Sequence, residues 1–281
     1  MIAHLINTDA GDRGLLPVYL DYRKRNPGFL TSSVETFLNN LERILIITGF
    51  PIPPSMTPET DGPPGAVALA GAVELLGGRA EILTYPEVMN ALRPFGINFV
   101  KSPDVGRYSL VIAVETPGRA ADGKYYSMRG LEIGRESFDG TVIEARELGI
   151  PTIGIGDGGN EAGMGRIREL IERYVPHGEK IASVVETDEL ILSAVSNWGA
   201  YGLVALASMK TGRNLLENWD ERAIIGSLVE RGLVDGVTGE RKLGVDGIPV
   251  EIHATLVGLL QEIVSWRNGT TRVPAPPSSG L

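Results

Sequence analysis

PTIGIGDGGNEAGMGRIRELI, residues 151–171, decides the fold. PTIGI (151–155) is a short apolar, β-branched run and reads as a buried strand. GRIRELIERYV (165–175) reads as a helix. Between them lies GIGDGGNEAGMG (154–165), in which six of twelve residues are glycine. Strand, glycine loop, helix is the repeating unit of a parallel α/β sheet.

The same order recurs on both sides. Helices are predicted over 15–26 and 33–43, the latter from the spacing of Val34, Phe37, Leu38 and Leu41. RILIITG (43–49) reads as a strand, GAVALAGAVELLGG (65–78) as a helix stopped by Gly77 and Gly78. Strands follow at 80–84, 97–100, 109–115 and 182–186, with helices at 86–93 and 137–148. Residues 188–267 read mostly as helix, broken by the glycine-rich 232–251. The expected fold is α/β: three layers, a mostly parallel sheet flanked by helices, with a helix-rich C-terminal third. The pattern leaves strand order open. One domain is expected over 1–268, and a disordered tail over 269–281, where PAPPSSGL is rich in Pro and Ser.

With 281 residues the chain can bury a substantial core. Its net charge is −9, and no basic stripe is visible, which argues against nucleic acid. There are no cysteines, which excludes disulfides, thiolate nucleophiles and Cys-based zinc sites. No run of roughly 18 apolar residues exists to span a bilayer. MIAHLINTDAGDRG lacks a basic and then apolar leader pattern, so the expected location is the cytoplasm. The expected partners are a small-molecule amino-acid substrate and further copies of the chain, in a homo-oligomer.

If the strands are parallel, three loops leave the same sheet edge: ETDGPPG after 43–49, ETPGRAADGKYYSMRG after 109–115, and GDGGNEAGMG after 151–155. Ligands bind beyond the carboxyl ends of such strands. The loops carry Glu59, Asp61, Glu115, Asp122, Asp157 and Glu161. Turn chemistry alone accounts for some Asp and Gly. Gathered carboxylates, however, repel one another unless a cation sits among them: a metal ion, a substrate ammonium, or arginines such as Arg129 and Arg166.

G154-I-G-D-G-G159 also matches the dinucleotide pattern G-x-G-x-x-G. Asp157 and Glu161 oppose that reading, because they place negative charge where pyrophosphate would lie. NAD is not expected, and no P-loop sequence is present. Read as a cation loop, the stretch is consistent. Asp157 and Glu161 offer hard oxygens suited to Mg²⁺, Mn²⁺ or Ca²⁺.

ETDGPPGA (59–66), ETPGRAADGKYYSMRG (115–130) and GIGDGGNEAGMG (154–165), in this order, resemble the D-glutamate cyclase family. NTDAGDRGL (7–15), SNWGAYGL (196–203) and LVDGVTGE with VDGIP (233–249) are similar to its terminal motifs. The resemblance covers nearly the whole chain and implies a lyase that closes D-glutamate to 5-oxo-D-proline and water. The roles it suggests are as follows. Asp157 and Glu161, with Glu115, hold a divalent cation or the ammonium. Glu161 or Asp61, with Asp157 as a third acid, carries out proton transfer. Arg13 or Arg129 clamps a substrate carboxylate. Gly158, Gly159 and Asn160 supply hydrogen bonds to an oxyanion. Any role for Asp235, Thr238 or Asp246 rests on the family pattern, since both Asp-Gly pairs read locally as hairpin turns.

Two alternatives stand beside this. One is a divalent-metal-dependent enzyme acting on another small carboxylate or a phosphate ester. The other is a non-enzymatic cation- or amino-acid-binding protein, which would bind without turnover. His4, His177 and His253 have no metal-like spacing and read as surface or core residues. No G-x-S-x-G elbow supports a serine triad. Lys210 reads as a solvated helix end, and Trp198 and Tyr201 as helix core.

Overall fold

The computed structural model describes residues 1–269. The expectation of a disordered tail falls, apart from Gly269, on residues outside this range. Five strands form one sheet: β1 (Arg43–Thr48), β2 (Arg79–Leu83), β3 (Leu110–Val114), β4 (Thr152–Gly156) and β5 (Glu189–Leu192). Their order is β2-β1-β3-β4-β5, and every neighbouring pair is parallel.

Alternation along β1 explains the layers. Ile44 and Ile46 point into one core, with Phe37, Leu69 and Trp198. Leu45 and Ile47 point into the other, with Val111, Val142 and Ala145. All four β1 side chains are fully buried, and burial of each contributes roughly 1.5–3 kcal/mol. The larger core packs under helices Phe29–Asn39, Pro63–Leu75 and Ser196–Thr211, and the smaller under helix Asp139–Glu147. This is the expected three-layer α/β fold. The C-terminal third adds helices Glu221–Glu230 and Val250–Arg267.

Four elements differ from the sequence reading. Residues 182–186 do not join the sheet, despite the adjacent valines Val184 and Val185. Their backbone is spent on the glycine loop: Ser183 N–H donates to Gly159 O, and Gly163 and Gly165 N–H both donate to Val185 O. The fifth strand is ELIL, Glu189–Leu192, at the start of the segment read as helical. Residues 97–100 make only one bridge, Phe99 beside Ile82. The second helix begins at Phe29 and ends at Asn39, earlier than 33–43, because the chain must turn before β1.

The strand order reverses between β1 and β3. After β1 the chain passes through helix Pro63–Leu75 to β2 on one side, then returns to β3 on the other. The loops leaving β1 and β3 therefore diverge and open a crevice at the carboxyl edge, the usual ligand position in such sheets.

Candidate active site

Six carboxylates meet at this crevice. Glu59 and Asp61 come from the loop after β1, Glu115 from the end of β3, and Asp157 and Glu161 from the loop after β4. The sixth, Asp246, arrives from a small hairpin, Gly244–Val245 against Ile248–Pro249. Asp246 and Gly247 have φ of 55° and 78°, the two-residue turn that an Asp-Gly pair favours. The other pair, Asp235-Gly236, makes no hairpin. Asp235 instead accepts from Thr238 N–H at 2.7 Å and Gly247 N–H at 2.6 Å, tying its loop to the hairpin.

None of the six is more than 6% exposed, and one guanidinium is ion-paired among them. Arg13 Nη1 lies 2.7 Å from Asp157 Oδ2 and 2.6 Å from Asp246 Oδ2, and Nη2 reaches Asp157 Oδ1 at 3.3 Å. Arg13 is thus the internal counter-ion of two acids. A substrate carboxylate would have to compete with both.

The glycine loop carries its own anion. Glu161 Oε1 accepts from the N–H groups of Asp157 (3.2 Å) and Gly158 (2.6 Å), and Oε2 from Gly159 (2.7 Å). These donors curl around a carboxylate as they would around a phosphate. In this structure the N–H groups of Gly158 and Gly159 are therefore committed to Glu161 rather than open to an oxyanion. Gly159 sits at φ 107°, and a Cβ there would lie 2.4 Å from Ile171 Cγ2. Asn160 Nδ2 donates to Tyr126 O at 2.7 Å and fastens this loop to the one after β3.

Asp61 is committed too. Its carboxylate accepts from Ser196 N–H and Asn197 N–H, both at 2.8 Å, and from Gly62 N–H at 3.0 Å. It caps the amino end of helix Ser196–Thr211 and does not line the cavity. Ser196 Oγ donates to Glu115 Oε2 at 2.6 Å. Glu115 itself has φ 45°, a left-handed backbone uncommon for a glutamate.

Crowding sets the proton affinities. Burial first, and neighbouring carboxylates next, push Glu59 and Glu115 well above the usual carboxylate range. Asp61 and Asp246 are raised by burial as well, with Arg13 pulling each back down. Glu161 is pushed up to about 7 by burial and by Asp157, against the pull of its backbone donors.

A cavity of about 250 Å³ opens over the cluster. Glu59, Glu115, Asp157, Glu161 and Asp246 form its acidic side, and Phe50, Met128, Leu131 and Val237 its apolar side. Arg129 stands at its mouth, exposed, and donates to Val237 O. Ser127 also lines it and has a buried hydroxyl without a partner. A larger hollow of about 500 Å³ lies at the opposite edge, beside Asn40, Pro151 and Glu189, where the strands begin and none of these acids gather.

Two groups of three carboxylates have ligand oxygens within 4.8 Å of one another: Asp61, Asp157, Asp246, and Glu115, Asp157, Glu161. Arg13 already occupies the first. The second is the set expected to hold a divalent cation, and its oxygen-only donors fit Mg²⁺, Mn²⁺ or Ca²⁺.

Other candidates fall away from the crevice. Asp122 is exposed and bonded to Tyr126 and Lys124. Arg166 donates to the carbonyls of Thr187 and Asp188. Trp198 and Tyr201 are core residues, fully or almost fully buried. His253 is buried between Trp198 Nε1 (2.8 Å) and Val245 O (3.2 Å). His4 and His177 are exposed, and Lys210 is an exposed helix end paired with Glu35.

A doubly wound α/β chain with a buried acidic crevice at its switch point is the class that fold and site define. The family model described as "D-glutamate cyclase-like, C-terminal" matches residues 2–261, and the chain belongs to that family. The human protein "D-glutamate cyclase, mitochondrial" is 29% identical over 318 aligned positions, covering 92% of this chain and 50% of that protein. The chain thus spans about half the length of this relative. The relative's name places it in the mitochondrion. Here, among the described residues, no helix is long and apolar enough to cross a membrane.

Proposed function

We propose that the protein converts D-glutamate to 5-oxo-D-proline and water in the acidic cavity. In this reaction the α-nitrogen attacks the γ-carboxyl carbon, a C–N bond forms, and a C–O bond breaks. The ammonium sheds two protons, and the departing oxygen needs two to leave as water. The site therefore has to carry protons from nitrogen to oxygen without net gain or loss. One observation supports this reading above the rest: a small cavity walled by buried carboxylates, among them Glu161, which burial and Asp157 push up to about 7.

Glu161 is the proposed proton carrier, since near pH 7 it can both accept and donate. Glu115 sits in the same wall, and burial together with Glu161 and Asp157 raises its proton affinity too. Asp157, held by Arg13, supplies fixed negative charge facing the ammonium. Asp61 acts from behind, by anchoring helix Ser196–Thr211. Arg129, at the mouth, is placed to meet the α-carboxylate. In the alternative arrangement, Glu115, Asp157 and Glu161 would be ionised ligands of a divalent cation, which would supply a Lewis acid offsetting the γ-carboxylate's charge in place of proton transfer by Glu161.

The test uses chelator-treated protein with D-glutamate or L-glutamate, with and without Mn²⁺ or Mg²⁺. Product is followed by chiral chromatography. Formation of 5-oxo-D-proline from D-glutamate, restored by metal, is the expected result. Turnover without metal keeps the lyase and assigns the carboxylates to ammonium binding and proton transfer. No product under any condition refutes the substrate.

A further inference from the structure

We infer that Glu59 is the side chain that receives the substrate's ammonium group and so selects an amino acid over a plain dicarboxylate. This rests on the D-glutamate reading above and deepens it.

A count of hydrogen bonds at the cluster singles Glu59 out. Glu161 and Asp61 each accept three backbone N–H groups. Asp157 and Asp246 are held by Arg13, and Glu115 accepts from Ser196. Glu59 is 4% exposed and lines the cavity, yet no hydrogen bond reaches its carboxylate among the described residues. With only the cavity to solvate it, this carboxylate is open to a donor from a bound ligand. A ligand N–H in the adjoining cavity provides one.

The surroundings hold Glu59 in place for that purpose. Its backbone N–H donates to Phe50 O at 3.0 Å, and the N–H of Thr60 donates to Val234 O at 2.9 Å, so the main chain is fixed on both sides. A Cβ on Gly236 would lie 1.7 Å from Glu59 Oε2 and 3.2 Å from Asp246 Oδ1. Gly236 is not among the residues with positive φ. A methyl there would have to push the head of Glu59 aside, so the glycine leaves room for the carboxylate where it stands.

An ammonium carries three N–H donors and a positive charge, and that charge beside Glu59 would favour its ionised, accepting form. Glutarate has the same carbon chain and both carboxylates of D-glutamate but no amine. The experiment measures D-glutamate and glutarate binding by calorimetry, on wild type and Glu59→Gln, alongside 5-oxoproline formation. Wild type is expected to prefer D-glutamate. Glu59→Gln is expected to lose about tenfold or more of that preference, the size of a lost charged hydrogen bond, while glutarate binding holds or tightens. Gly236→Ala, which drives a methyl against the Glu59 carboxylate, is expected to lose the preference too, and carries the test if Glu59→Gln does not fold. Wild-type turnover together with an undiminished preference in both variants overturns this inference alone. A wild type that neither binds nor turns over D-glutamate overturns the parent reading, and this one with it.

Discussion

Arg13→Met removes the guanidinium from the centre of the site and leaves a side chain of similar reach. Arg13 makes contacts of 2.7 and 2.6 Å to Asp157 and Asp246, whose side chains are only 3% and 5% exposed. Breaking a buried pair by deleting one partner costs about 3–5 kcal/mol, because the remaining charge stays desolvated. The loss is expected to depend on pH. Burial already holds Asp246 above its ordinary value of 3.8, and Arg13 pulls it back down. Without Arg13 the folded state binds that proton more tightly still. A carboxyl raised in the folded state loses stability as pH rises from its unfolded value toward its folded one. The deficit of the variant should therefore be smaller near pH 4 than at pH 7.5. Urea unfolding of both proteins at these two pH values measures it. Adding Asp246→Asn to the variant should recover part of the loss at pH 7.5, since one stranded carboxylate is gone. A deficit under about 1 kcal/mol at pH 7.5, or an equal deficit at both pH values, refutes the view of Arg13 as the counter-ion of this cluster.

Glu161→Gln is expected to lower D-glutamate turnover by about 10²–10⁴-fold and to abolish a limb near pH 7 in the rate profile, which rate measurements across pH 5.5–8.5 check. Glu221 lies outside the site. Burial pushes it from 4.5 to about 7, against hydrogen bonds from Tyr201 and Trp219. Its raised value contributes stability below pH 4.5 that is lost as pH climbs through 7, roughly 3 kcal/mol in all. In Glu221→Gln, urea unfolding between pH 4.5 and 8 should show that decline removed, and an unchanged decline would count against the assignment. Gly159→Ala puts a methyl against Ile171 at a strained φ and should cost about 1–3 kcal/mol by thermal or urea unfolding, with loss of turnover as the donors to Glu161 shift.

Much of the fold was legible because β1, β3 and β4 are apolar runs that only a doubly covered sheet can bury, and each is followed by glycine and then a helical period. Residues 182–186 misled because a short run with two valines suits an extended backbone without identifying its pairing partner. Their neighbours are the glycine loop and Arg119, whose carbonyl accepts from Val184. ELIL was missed because four apolar-rich residues before a long helix look like its first turn.

The sequence alone determined that acidic, glycine-rich loops follow three strands, and parallel pairing then puts Glu59, Asp61, Glu115, Asp157 and Glu161 on one edge. Given parallel pairing, the shared edge follows from chain direction and does not depend on the order of the strands. Only the tertiary structure decided what each acid does. The strand order opened the crevice beside β1. Arg13, some 144 residues before Asp157, was brought to it and to Asp246. Asp61 was drawn to a helix end, Glu161 to its own loop, and Glu59 was left facing the cavity without a donor. Carboxylates are chemically alike in sequence. Their roles diverge only when packing decides which donors each can reach and how much water each keeps.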